Sequence, residues 1–372
     1  SLDNVYVTGR FQGTADFDPG VGILNLTSLG DYDIFVQKLD SAGNLIWAKS
    51  MGGVNGDWGQ AVAVDDLGNV YLTGYFMDTA DLDPSAGTTN VTSSGFQDVF
   101  VEKLDTDGNF LWAIGIGGTS SDMGNGIAVD NLGNVYTTGY FVGTVDFDPS
   151  AGVTNLSTTW RDSFVQKLDT DGNFLWAKAI NGPGDKIAYD IIVDTSGNVY
   201  TTGYFGGTVD FDPGAGEFNL TMAAGSGAYD MFIWKLNTAG DFVWAKAMNG
   251  SAGNGTGYGI ALDASDNVYT TGFFNDTTDF DPGAGVQPLT TAGLNDISIT
   301  KLHSSGAFIW TKQLAGTGEN HGHAIVVDSS FNVYSTGYFS GTVDFDPDAG
   351  VVNATGSQDI YVHKLTPYVV PV

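Results

Sequence analysis

The phrase Asn-Val-Tyr-x-Thr-Gly-x-Phe occurs six times in this chain, beginning at residues 4, 69, 134, 198, 267 and 332, and each copy is followed by Asp-(Phe/Leu)-Asp-Pro. Its tyrosines, Tyr6, Tyr71, Tyr136, Tyr200, Tyr269 and Tyr334, lie 65, 65, 64, 69 and 65 residues apart. A period this constant means one supersecondary unit copied in series, and it predicts a single array over residues 1–372 rather than a mosaic of domains. It also sorts the residues. What recurs in every copy holds the unit together, and what differs between copies is where a specific site belongs.

The second copy reads as four short strands. Gln60 to Asp65 is an apolar run, residues 66–69 are a turn, and Val70 to Phe76 alternates. After an insertion, Val99 to Leu104 is a third strand, Thr106-Asp107-Gly108-Asn109 a tight turn, and Phe110 to Ile114, with Trp112, a fourth. No segment carries a sustained helical period. The 53 glycines and 13% aromatic content suit short strands and tight turns. Four antiparallel strands repeated six times predict an all-β chain, a β-propeller of four-stranded blades. A solenoid, with one parallel strand per coil, fits the hairpin turns less well. A usual blade takes roughly 40–45 residues; the surplus is the insertion between strands two and three. There residues 208–212, 213–216 and 217–221 read as an extra hairpin. The first copy opens on its second strand and the sixth stops after its third, near residues 366–372. Either the tail Tyr368 to Val372 supplies a ring-closing strand or more chain exists on either side.

Composition limits the function. With 43 acids against 13 bases the formal charge is −30, the wrong sign for nucleic acid or an anionic membrane. No run approaches a membrane span in length, so direct membrane insertion is not expected. The absence of cysteine removes disulfides, thiolate metal sites and cysteine nucleophiles. No secretory leader is read in the chain, so an export signal would lie outside it or have been removed.

Phe164 to Asp169, Gly172-Asn173-Phe174-Leu175-Trp176 and Gly197 to Gly203 resemble a bacterial β-propeller repeat, often catalogued as seven-bladed, and the likeness runs over essentially the whole chain. The resemblance implies a propeller in secreted or surface-attached bacterial proteins, some exported by the gliding-associated (type IX) system. It implies no reaction. The chain departs from that pattern in its Asp-x-Asp-Pro insertion and in having six copies.

The paired acids are Asp16/Asp18, Asp81/Asp83, Asp146/Asp148, Asp210/Asp212, Asp279/Asp281 and Asp344/Asp346. On an extended strand, residues i and i+2 share a face, so each pair predicts a hard-cation site, calcium first, joined by the acid opening the third strand (Asp33, Asp98, Asp162, Asp230, Asp296 or Asp359). The competing reading is that they cap turns by accepting backbone amides. Glycosidase chemistry needs one carboxyl pair astride one bond, whereas these pairs recur in every copy, so no catalytic residue is assigned. The lysines keep step with the repeat too: Lys38, Lys103, Lys167, Lys235, Lys301 and Lys364 on strand three, and Lys49, Lys178, Lys246 and Lys312 on strand four. They read as partners of repeat aspartates or as stems over the tryptophans. Only Arg10, Arg161 and Lys186 fall outside the pattern, and with no basic cluster phosphoryl chemistry is excluded. Asn25, Asn90, Asn155, Asn219 and Asn353 open Asn-x-Ser/Thr triplets, which read more simply as polar hairpin positions than as glycosylation acceptors.

The copies differ most where strand four leads into the next strand one. Aligned on Asp65, Asp130, Asp194, Asp263 and Asp328, one position reads Trp58, Met123, Ile187, Thr256, His321 and another Gln60, Asn125, Tyr189, Tyr258, His323. In a propeller these loops ring a channel mouth. Trp58, Gln60, Tyr189, Tyr258, His321 and His323 are therefore the expected ligand-binding set, suited to stacking on a sugar or peptide. His321 and His323, with Glu319, are also a weaker zinc candidate; His303 and His363 carry no signal. These readings predict a binding or adhesion module, extracellular or on the cell surface, calcium-stabilised, with a glycan or surface protein as partner. A structural subunit of a surface filament, with possible self-assembly, is the alternative. A polysaccharide lyase or glycosidase centred on His321/His323 is the other.

Overall fold

The structure, a computed structural model, describes residues 3–222, 229–250 and 253–367. Regular elements among them are β-strands, and no helix there is long and apolar enough to cross a membrane, which says nothing of crossing by strands. The chain divides into two compact units, Ser1–Ala179 and Ile180–Val372, with three copies of the phrase in each.

In the first unit the second copy shows the whole pattern. Trp58–Val64, Val70–Asp81, Asn90–Leu104 and Phe110–Ile116 pair antiparallel in chain order. Met123–Val129, Val135–Asp146, Asn155–Leu168 and Phe174–Ala179 repeat it, and the first copy supplies Val5–Asp16, Asn25–Leu39 and Leu45–Gly53. The second unit has Lys186–Val193, Val199–Phe205, Asp230–Leu236 and Phe242–Gly250, then Gly255–Leu262, Val268–Phe274, Asp296–Leu302 and Phe308–Gly316. Its last copy has Asn320–Val327, Val333–Asp344 and Asn353–Leu365. The strand suggested for Tyr368 to Val372 lies outside the described residues.

Each letter of the phrase has a mechanical role. The tyrosine hydroxyl donates to the strand-one aspartate, as from Tyr71 to Asp65 and Tyr200 to Asp194, both at 3.0 Å. The threonine hydroxyl donates to a strand-three carbonyl in all six copies. Glycine is required because strand one crosses it: a Cβ at Gly74, Gly139, Gly203, Gly272 or Gly337 would lie 1.8–2.0 Å from the carbonyl oxygen of Trp58, Met123, Ile187, Thr256 or His321. The closing phenylalanine meets the central aromatic of Asp-Phe-Asp edge to face, as in Phe141–Phe147 at 5.3 Å and Phe205–Phe211 at 5.4 Å. The six strand-three lysines lie over the phrase tyrosines, with Nζ 4.6–5.4 Å from each ring centroid. The tyrosine, not the tryptophan, is their aromatic partner.

The insertion is not a separate hairpin in most copies. Strands two and three simply run on, so that Asp16, Asp81, Asp146 and Asp344 pair with Asn25, Asn90, Asn155 and Asn353. Before each extension the backbone turns left-handed, at Gly13, Asp78, Gly143, Gly207, Asp276 and Gly341. That kink bends the hairpin, and in the fourth and fifth copies it breaks strand two into Val199–Phe205 with Thr208–Asp210 and Val268–Phe274 with Thr277–Asp279. Bent this way, the extension reaches the preceding copy: Gly52 and Gly53 pair with Asp81 and Ala80, Asn249 and Gly250 with Asp279 and Thr278, and Ala315 and Gly316 with Asp344 and Val343.

Candidate functional site

The residues that vary between copies sit on a common irregularity of strand one. Gln60, Asn125, Tyr189, Tyr258 and His323 are each the extra residue of a β-bulge against strand two. A bulge re-aims one side chain without breaking the flanking register. Small neighbours allow it: Gly59, Gly124, Gly257 and Gly322 stand just before the bulge, where a Cβ would fall 2.1–2.3 Å from the hydroxyl of Thr8, Thr73, Thr202 or Thr271 of the preceding copy. Scaffold and variable position are thus built by the same contact.

In the second unit this device assembles a tract of eight rings. Tyr229 meets Tyr204 at 4.4 Å between centroids, Tyr204 meets Tyr189 at 6.1 Å, and Tyr189 meets Tyr258 at 4.7 Å. Tyr258 stacks on His323 at 4.7 Å and 13°. His321 stacks on Phe273 at 4.1 Å and on Tyr338 at 4.7 Å. The rings are half-buried except His323, which is exposed. Asn295 Nδ2 lies 3.1 Å from His321 Nε2. Burial, with His323 beside it, lowers the His321 pKa to about 4, and partial desolvation against the neighbouring rings lowers that of His323. Both are therefore uncharged at neutral pH, and the tract offers ring faces and hydroxyls without fixed charge. Of the expected ligand set, the structure brings Tyr189, Tyr258, His321 and His323 together. Glu319 bonds Ser340 through its backbone and its charge reaches Tyr338, and among the described residues no three His, Asp or Glu side chains are placed to share a metal ion.

Tyr204, Phe273 and Tyr338 were missed in the sequence because they belong to the recurring phrase. They occupy its variable letter between glycine and phenylalanine. With Phe on the core side, alternation sends that letter to the opposite face, and this was the available signal.

The first unit uses the same positions differently. Arg10 lies over Trp58 at 3.8 Å and over Tyr32 at 4.3 Å, Trp58 meets Tyr75 at 6.0 Å, and Gln60 reaches the Met123 sulfur at 3.9 Å. Trp58 and Gln60 lie on strand one rather than in a loop before it, beside a cation and a thioether rather than in a row of rings.

The aspartate pairs are engaged by backbone. The first acid accepts two amides, as Asp16 Oδ1 does from Asp18 and Leu24 and Asp81 Oδ1 from Asp83 and Thr89, and Asp146, Asp210, Asp279 and Asp344 do the same. These bonds hold the Asp16 and Asp344 carboxyls below their ordinary pKa. The second acid (Asp18, Asp83, Asp148, Asp212, Asp281, Asp346) accepts the amide two residues on. Its other oxygen lies over a glycine, Gly22 in the first copy, where a Cβ would meet it at 2.0 Å. The strand-three acids do not join them. Asp33 pairs with Phe11, five residues before Asp16 along the same strand and on the other side of the Gly13 bend. The triplet asparagines sit at the hairpin ends, and Thr27, Thr92, Ser157, Thr221 and Thr355 of their triplets bond a hydroxyl across the hairpin. His303 caps the turn that aspartate caps elsewhere, accepting the Ser305 amide at 3.2 Å.

A bulged strand one paired with a glycine-bearing strand two recurs in five copies. Three stretches, residues 46–75, 112–140 and 175–204, match the family model described as Beta-propeller repeat. Each runs from strand four through the bulged strand one into strand two, so these three stretches read as β-propeller repeats. It is similar to an uncharacterized WD repeat-containing protein of Acanthamoeba polyphaga mimivirus, 26% identical over 79% of this chain and 25% of that protein. It is also similar to the regulatory protein FlaEY of Caulobacter vibrioides, 30% identical over 39% of this chain and 15% of that protein. The chain thus spans a quarter or less of these relatives. A solved Bacteroides caccae protein of unknown function aligns over 82% of this chain and 93% of its own, with a TM-score of 0.37 and 9% identity.

Proposed function

We propose that the six copies are blades of a binding module whose ligand, a glycan or an exposed peptide, lies along the ring tract of the second unit. The observation that supports this is the run Tyr229, Tyr204, Tyr189, Tyr258, His323, with His321, Phe273 and Tyr338 beside it. Ring faces stack on the apolar face of a sugar or on an aromatic side chain, and half-buried hydroxyls supply direction. The chain's −30 charge argues against polyanionic ligands. In this reading the protein acts outside the cell or on its surface and catalyses nothing. The test is binding on glycan and peptide arrays by the wild type and by Tyr189→Ala/Tyr258→Ala/His323→Ala. At least a tenfold loss with an unchanged far-UV spectrum is expected; undiminished binding would sink the reading.

Calcium stabilisation is a separate proposal resting on the acid pairs. A melting temperature that falls with chelator would carry it, and an unchanged one would leave those carboxylates as turn caps.

A further inference from the structure

The acid that opens strand three lies at the joint with the next copy, and two joints of the first unit carry a second acid beside it. One residue before Trp58, Met123, Ile187, Thr256 and His321 the chain reads Asp57, Asp122, Lys186, Gly255 and Asn320. Asp33 with Asp57, and Asp98 with Asp122, are buried, none of the four more than 2% exposed.

One amide shows what the second acid changes. Where that acid is absent, the glycine ending strand four serves the strand-three acid: Gly250 donates to Asp230 Oδ1 at 3.0 Å, and Gly316 to Asp296 Oδ1 at 2.8 Å. Where it is present, the amide is diverted. Gly53 donates to Asp57 Oδ2 and Gly118 to Asp122 Oδ2, each at 2.7 Å, and Oδ1 of each second acid accepts from Met77 or Val142. Asp33 and Asp98 keep one bond apiece, at Oδ2 from Leu29 and Ser94. Their Oδ1 atoms are left buried without a hydrogen-bond partner.

The same two joints keep space beside the acids. Gly52 and Gly117 stand where later copies have Asn181, Asn249 and Ala315. Asp33 Oδ1 and Asp57 Oδ2 lie 2.8 and 2.9 Å from the point a Gly52 Cβ would take, and both Asp98 oxygens lie 2.4 Å from that of Gly117. The second unit shows that positive charge can be buried at this position of the repeat: Lys186 is fully buried, its ammonium donating to the Gly182 and Gly184 carbonyls. Carboxylates buried together stay ionised only with a counter-charge. Without one the joint takes up a proton instead, and burial with the Asp33 charge does raise the Asp57 carboxyl to about 7.

We propose that each of these two joints binds a small, hard divalent cation of the magnesium or manganese class. Asp33 Oδ1 and the Asp57 carboxylate hold one ion, and Asp98 Oδ1 and the Asp122 carboxylate hold the other. Two carboxylates completed by water suit such an ion, and its charge cancels theirs where burial makes it most costly. The ion ties strand three of one copy to the entry of strand one in the next. These sites are distinct from the Asp-x-Asp-Pro turns, where backbone amides already engage the carboxylates, and do not rest on calcium binding there.

The test counts Mn²⁺ bound by the full chain at neutral pH, from the paramagnetic resonance of the free ion. Asp57→Asn/Asp122→Asn, which copies Asn320 of the sixth copy, should bind two ions fewer than the wild type. Asp33→Asn/Asp98→Asn should lose the same two, and this second pair keeps the test sound if the first fails to fold. The turn acids are intact in every variant, so any ions they hold cancel in the difference. Equal counts in wild type and variants would overturn the inference, as would a wild type that binds no Mn²⁺. A melting temperature raised by Asp57→Asn with no ion lost would also overturn it, by assigning the joint to a proton.

Discussion

At the strand-one bulge the first unit carries Gln60 and Asn125, and the second carries Tyr189, Tyr258 and His323. Three residues earlier the first unit has Asp57 and Asp122, both fully buried, where the last two copies of the second have Gly255 and Asn320. The register is the same, and of the five bulges only that of the fourth copy follows Ala188 in place of glycine. Both units set acid in joints between copies, since Asp190 of the second accepts the Ile260 amide of the next copy at 2.9 Å, but only the second lines the bulged strand with a row of rings. A propeller repeat can therefore carry two different chemistries on one frame, because the bulge frees a side chain from packing duty.

The largest effect should come from breaking the frame itself. Gly74→Val in the first unit and Gly203→Val in the second should each cost more than about 3 kcal/mol in urea unfolding, since a Cβ there meets a carbonyl at 1.9 Å. Equal losses would show that the units share one frame; a tolerated substitution in either would break the comparison.

Next comes pH. Burial raises the carboxyl pKa of Asp57 to about 7 and of Asp33 and Asp98 to about 6, and raises that of Asp122. The charge of Asp33 also raises Asp57, both lying within 2.9 Å of where a Gly52 Cβ would stand. Glu102 is wholly buried, with both oxygens unpartnered and Asp83 the charge that reaches it, and its pKa lies well above the ordinary value. Its counterparts Gln37, Gln166 and Trp234 donate to the carbonyls of Phe17, Phe147 and Phe211, which Glu102 can imitate only when protonated. An acid with a raised folded pKa contributes stability that is complete below its unfolded pKa and lost as pH rises through the folded one. Stability should therefore fall between about pH 4 and 7, with amide-exchange protection lost in Leu45–Gly53 and Phe110–Ile116 before Phe308–Gly316. Glu102→Gln should restore about 1–3 kcal/mol at pH 8. Uniform acceleration across both units would remove the contrast.

Exchanging the variable residues should matter least to stability. Gln60→Tyr with Asn125→Tyr should shift unfolding by less than about 1 kcal/mol while extending the ring chemistry to the first unit. A smaller signal still is the His321 ring titration by NMR. With a folded pKa near 4, its resonances should hold still from pH 8 to about 5; a midpoint near 6.5 would mean the ring is not packed as described.

The strands and both turns were legible in the sequence, because glycine, asparagine and alternation are local signals. The lysine partners were half legible: their periodicity was plain, but whether Lys103 lay over Tyr71 or Trp112 depends on strand register. The extension of strands two and three was hidden, since Gly13 and Asp78 look like loop residues until the backbone shows a bend within one hairpin. The ring tract was divided by the rule that recurrence means scaffold. Tyr258 and His323 vary and were found, while Tyr204 and Tyr338 recur and were not.

The seating of each turn on the tryptophan before it gives the row a direction. Thr106 serves Trp47, Thr170 serves Trp112 and Ser304 serves Trp244, always the later copy serving the earlier. A cut at any of these three joints leaves two unlike ends, one offering an indole and the other a glycine turn. Duplication of a whole period regenerates both halves of that joint at once, so the row can lengthen or shorten by whole periods without any new contact having to arise by mutation.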